Sequence, residues 1–190
     1  MSRQTDRDPY RGRDPGSDHD FSFFNLVELH VLAALRREHH VQMPNIRRAV
    51  DYVKKRLGSP RPLINEHMET DGTDIFVTKL GSLINVSQNG QLAMKALLQE
   101  YLKRIDRDAH GVAIRLFPFT RKRSLDEPKN IVIDPSIAFG RPAIVGVGIP
   151  TNIIAERYKA GESMDELADD YGCKRPHIEE AVRCELDLAA

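Results

Sequence analysis

The sequence predicts a mainly α protein with small β-hairpins, ending in a trihelical, helix-turn-helix-like domain that a short β-hairpin introduces. Three observations carry this reading. Apolar residues recur at helical spacing in several separate windows, glycines and prolines punctuate the intervals, and a capping signature precedes one of the last three helices. The 190 residues suffice for one large domain or two small ones, and a hydrophobic content of 41% can bury a real core.

Met1 to Asp20 is almost wholly polar, with Pro9, Pro15, Gly12 and Gly16 among many Arg and Asp residues. Such a stretch cannot bury apolar surface and is expected to be a disordered tail. From Phe21 the pattern changes. Phe24, Val27, Val31 and Leu35 define a first helix over Phe23 to Arg37, with Ser22 as N-cap. Ile46, Val50, Val53 and Leu57 define a second, with Pro44 in its first turn and Gly58 as its stop. Closeness in sequence suggests that the two pack as a helical hairpin. Asp74 to Thr78 and Ser82 to Ser87 are apolar-rich and flank Lys79-Leu80-Gly81, which reads as a β-hairpin. Leu92, Met94, Leu97, Leu98, Tyr101, Leu102 and Ile105 mark a third helix.

Residues 21–110 therefore read as a helical domain with a β-hairpin, and 111–130 as a connector. The connector holds a strand at Ala113 to Phe117, then the basic run Arg121-Lys122-Arg123 and Pro128. A second compact unit, 131–190, opens with the strands Ile131 to Ile133 and Ala143 to Val145 around Gly140-Arg141-Pro142. Gly146 and Gly148 make a tight turn into a helix. They form only a GxG, without the third glycine or the Lys-Ser/Thr of a phosphate loop, so the reading is a structural turn. Helices follow at Asn152 to Lys159, Met164 to Asp170 and Pro176 to about Leu186. Ser163 and Glu166 form a capping box ahead of the middle one. The last two helices have helix-turn-helix spacing, with Ala168 at the close approach and Gly172 in the turn. Lys174, Arg175 and His177 could face phosphate, but Glu179 and Glu180, read as outward-facing, oppose a phosphate-lined groove. The unit reads mainly as a packing or dimerisation module.

This C-terminal segment resembles the family known as domain of unknown function 433. Pro135, Gly140, Pro142, Gly146, Ile149, Pro150, Gly161, Ser163, Leu167 and Tyr171 match its pattern in order. Val147-Gly148 stands where that family has Thr-Arg. The remainder, from FSFFNLVELHVLAALRREH to the third helix, is similar to larger VapB-type antitoxins carrying this domain at their C-terminus, so the resemblance spans roughly residues 20 to 187. Those antitoxins generally begin with a MerR-like helix-turn-helix, where this sequence has the polar stretch Met1 to Asp20. The resemblance implies a type II antitoxin that binds a PIN-domain ribonuclease toxin and controls the pair's own promoter. A stand-alone DNA-binding regulator and a small partner-binding adaptor remain alternatives.

Composition narrows the chemistry. Lys and Arg number 28 against 28 Asp and Glu, which removes the simplest argument for a nucleic-acid protein. Charge can still be segregated. Cys173 and Cys184 do not make a disulfide framework and read as core or boundary residues. The absence of an apolar leader or bilayer-length run gives a cytoplasmic expectation. The sequence shows no nucleophile elbow, metalloprotease helix motif or kinase signature, so no enzymatic activity is expected. The histidines lack ligand spacing, and neither a metal nor another cofactor is expected.

Two surfaces are candidates for contact. A PIN nuclease carries a metal-binding carboxylate cluster, which cations beside apolar anchors would complement. Arg115, Phe117, Phe119, Arg121, Lys122 and Arg123 supply that composition; a structural strand followed by a solvated basic loop is the plainer alternative. For DNA, Arg47, Arg48, Lys54 and Lys55 on the second helix join Lys174 and Arg175. A solvated helix face is the commoner reading of such a run. Association into a homodimer is expected.

Overall fold

The computed structural model describes residues 22–121 and 127–188; the predicted tail 1–20 lies outside them. Among the described residues there are seven α-helices and four short strands. In order these are α1 (Phe23–His39), α2 (Met43–Leu57), α3 (Asp71–Ile84), α4 (Gln88–Leu102), β1 (Ile105–Arg107), β2 (Ala113–Leu116), β3 (Ile131–Val132), β4 (Ala143–Ile144), α5 (Thr151–Lys159), α6 (Met164–Asp170) and α7 (Arg175–Leu188). Strands β1 and β2 form one two-stranded sheet and β3 and β4 another. The chain divides into two compact units between Ala113 and Ile114. Among the described residues no helix is long and apolar enough to cross a membrane.

In the first unit, Ser22 caps α1 by accepting a hydrogen bond from the Asn25 amide at 3.2 Å. Gly58 ends α2 in a left-handed conformation, φ +65°. The principal partner of α1 is α4, and that of α2 is α3, so the first two helices do not make the expected hairpin.

The larger correction concerns Asp74 to Ser87. The two predicted strands and their turn lie almost wholly within one helix, α3. Its buried residues Thr73, Phe76, Val77 and Leu80 follow the period of 3.6 and not of 2. Gly81 is not a turn residue. A Cβ there would lie 2.6 Å from the Gln91 side chain on α4, so the glycine allows close approach of two helices. Asn85, in a left-handed conformation at φ +54°, ends the helix. The third predicted helix is present as α4 but stops at Leu102, and Ile105 begins β1 instead.

The strands and helices predicted from Ile131 onward are present. β3 and β4 pair antiparallel, Ile131 with Ile144 and Val132 with Ala143. Leu116 exchanges backbone hydrogen bonds with Ile133, which adds the end of β2 to this pair. The Ser163–Glu166 capping box is formed at the start of α6. Helices α5, α6 and α7 close over the hairpin on Ile131, Ile144, Ile154, Leu167, Ile178, Ala181 and Val182, with Cys173 and Cys184 at the edge of this core.

The helical form of α3 makes a direct prediction. Leu80 is fully buried, so Leu80→Ala costs about 2–5 kcal/mol in chemical denaturation. A hairpin with its turn at 79–81 would expose Leu80, and the same change would then stay within about 0.5 kcal/mol.

Candidate functional site

Helix α2 turns Ile46, Ala49 and Val53 inward. The same periodicity puts Arg47, Arg48, Asp51, Tyr52, Lys54, Lys55 and Arg56 on the exposed side. Five cations thus stand against the single carboxylate of Asp51, over a length of about 13 Å at 1.5 Å per residue. Among the described residues Arg47, Arg48, Lys55 and Arg56 take part in no ion pair. Elsewhere in this unit four cations are neutralised, through Arg61–Glu28, Lys95–Asp74, Lys103–Glu100 and Arg107–Glu69. Burial holds the Glu28 carboxyl above its ordinary value, against the opposing pull of Arg61 and, more weakly, of Lys54. Tyr52 is half-exposed amid the cations, with the Lys79 ammonium 5.2 Å from its ring centroid. Periodicity located the four predicted cations of α2, with Arg56 in the same run; Tyr52 and Lys79 complete the face and were missed. Lys79 was hidden by the hairpin reading.

The connector residues are disposed differently. Phe117 is buried, with the Lys129 ammonium 4.6 Å from its ring centroid. Arg115 donates to the buried carboxylate of Asp134 at 2.8 Å. Arg121 donates to Glu180 at 2.8 Å and lies 3.9 Å from Glu127. Phe119 is half-buried, and Lys122 and Arg123 lie outside the described residues. Two of the predicted toxin-contact cations are thus engaged within their own unit.

Glu180, predicted to face outward on α7, is in fact 1% exposed. Its carboxylate accepts from Arg121 and from Arg183, each at 2.8 Å, and from the Thr120 hydroxyl. The Thr120 amide donates to Glu127 at 2.8 Å. Burial opposes ionisation of Glu180, but the hydrogen bonds from Arg121 and Thr120 and the charge of Arg183 prevail and lower its pKa. Asp134 shows the same balance. Burial raises it, while Ser136 and Arg115 lower it further, leaving it below the ordinary carboxylate range.

At the α6–α7 turn, Arg175 is held by Asp165 at 2.6 Å and Glu179 at 2.8 Å, while Lys174 is exposed with no ion pair among the described residues. No three His, Cys, Asp or Glu side chains among the described residues gather so as to hold a metal ion.

With this geometry in view, residues 131–183 match the family model described as "Protein of unknown function (DUF433)". The chain carries a DUF433 domain. The match begins at β3 and runs into α7, so the domain coincides with the hairpin and the trihelical core it supports. Over 182 residues the chain is 29% identical to "Putative antitoxin VapB45" of Mycobacterium tuberculosis (strain ATCC 25618 / H37Rv), covering 88% of this chain and 72% of that protein. The resemblance to VapB-type antitoxins with a DUF433 domain thus extends over most of the chain. A solved structure, the crystal structure of Rv2018 from Mycobacterium tuberculosis, matches with a TM-score of 0.66 at 22% identity, over 85% of this chain and 78% of that one. That likeness shows the fold.

The depressed carboxyls of the DUF433 unit set its acid response. A carboxyl whose folded-state pKa is lowered contributes stability above its unfolded value, and loses it as pH falls through the folded value. The unit should therefore lose stability below about pH 4, the ordinary Asp and Glu range. Glu180→Gln should lower stability at neutral pH by about 1–3 kcal/mol and flatten this acid dependence. Calorimetric unfolding of both proteins from neutral to acid pH checks it; parallel curves would remove Glu180 from the account.

Proposed function

We propose that this chain is the antitoxin of a type II toxin–antitoxin pair, and that it binds and neutralises a PIN-domain ribonuclease. The observation that carries the reading is the similarity over 88% of the chain to a protein named as an antitoxin. Neutralisation by binding needs a folded surface and no chemistry of its own, and the second unit supplies a compact scaffold with a closed apolar core and a capped α6. The test is growth rescue. The reading frame adjacent to this chain's gene is induced alone, then together with this chain, and the two proteins are co-purified. Arrest relieved by this chain, with a stable complex on a sizing column, is the expected result. A harmless neighbour, or arrest that this chain neither relieves nor binds, would contradict the antitoxin reading.

The α2 face favours a second activity within the same reading, contact with nucleic acid at the pair's promoter. Four cations without ion pairs and a half-exposed tyrosine on one helix suit a phosphate backbone more than a folded protein core. A stand-alone DNA-binding regulator would use the same face. Binding to duplex DNA should weaken with salt, log K falling by about 0.9 per phosphate contact, or about 3 to 4 for this face. Arg48→Glu with Lys55→Glu should reduce that slope by about 2. Fluorescence anisotropy across a salt series reads the slope, and an unchanged slope would take α2 out of the interface.

A further inference from the structure

The loop between β3 and β4 holds the most exposed large apolar residue of the described chain. Phe139 is 96% exposed; the next, Leu92, is 64% exposed. Three consecutive residues there adopt left-handed backbone: Ala138 at φ +49°, Phe139 at φ +57° and Gly140 at φ +74°. Two of the three carry a Cβ, for which this conformation is unfavourable. The loop is nevertheless firmly built. The buried Asp134 carboxylate accepts from the Ser136 amide at 2.8 Å, from the Ser136 hydroxyl at 2.6 Å and from Arg115 at 2.8 Å. Backbone bonds from Ile137 to Asp134, Gly140 to Ile137 and Arg141 to Ala138 complete the turn. A strained backbone is thus held in place to present an aromatic ring to solvent. Two residues on, Arg141 is exposed and takes part in no ion pair among the described residues, whereas Arg115 at the loop's base is paired.

We infer that this loop is the anchor by which the DUF433 unit docks on its toxin, with Phe139 entering an apolar pocket and Arg141 meeting a carboxylate at the pocket's rim. The inference rests on the antitoxin reading above. An exposed aromatic on a hydrogen-bonded loop, with an arginine two residues on, is the composition that dominates protein interfaces, because it buries much surface with little ordering of the backbone. A second copy of the chain fits less well. The apolar groove on the first unit, about 410 Å³ and lined by Leu29, Leu32, Ala33 and Met43, is edged by Arg36, which would oppose an incoming Arg141. A nucleic-acid strand fits less well still, since Arg141 is a single cation and the loop's other charge is the Asp134 carboxylate.

The test uses the full chain and the purified product of the adjacent reading frame, with Phe139→Ala, Phe139→Gly and Arg141→Glu. Titration calorimetry should show Kd weakened at least about 30-fold by either change at Phe139, and weakened by Arg141→Glu. The Tm of Phe139→Gly should stay level or rise, because glycine relieves the left-handed strain. Phe139→Ala binding within threefold of wild type overturns the inference while leaving the antitoxin reading intact. So does loss of self-association in that variant with toxin binding retained, which would give the loop to a second copy. A wild-type chain that binds no toxin overturns both together.

Discussion

Glu180 occupies the junction of α7 with the segment that follows β2, and the second unit is organised around how that carboxylate is satisfied. An ionised group at 1% exposure must be paired or it destabilises the fold. Arg121 and Thr120 come to it from the connector and Arg183 from α7 itself. Thr120 and Arg121 of the connector are therefore tied into the C-terminal unit. Asp134 does the same at the other end of the strand pairing, drawing Arg115 inward and shaping the β3–β4 loop through Ser136. These two buried carboxylates thereby hold Arg115, Arg121 and Arg183 within the unit.

That sorting of charge is more informative than the net charge, which is zero. Unpaired cations concentrate on α2 in the first unit, and the second unit presents Phe139 and Arg141 on a pinned loop. One surface suits a phosphate backbone and the other suits a protein pocket. An antitoxin that also acted on its promoter would require two such surfaces, and the two proposed here belong to different units.

Much of this architecture was legible in the sequence. The C-terminal helices, the Ser163–Glu166 box and the β3–β4 pairing could be read because caps, glycines and periodicity all agree there. Helix α3 could not, because its short apolar run fits both periods and Gly81 mimics a turn until the close approach of Gln91 is known. The basic face of α2 was visible as composition, while its lack of ion pairs depends on which carboxylates lie nearby in space. Glu180 was misplaced because an acidic residue on a helix is ordinarily solvated, and its partners lie 60 residues away in sequence or on the next turn. The left-handed backbone of Phe139 likewise has no signal in local preference, because residues with a Cβ rarely adopt it.

The most direct test of this division is hydrogen exchange on the wild-type chain, free and bound to the product of the adjacent reading frame. The account predicts slowed exchange across residues 134–142 on complex formation, with residues 113–121 unchanged because their bonds are internal in both states. Protection confined to 113–121, with 134–142 exchanging as in the free chain, would contradict it and return the toxin contact to the connector.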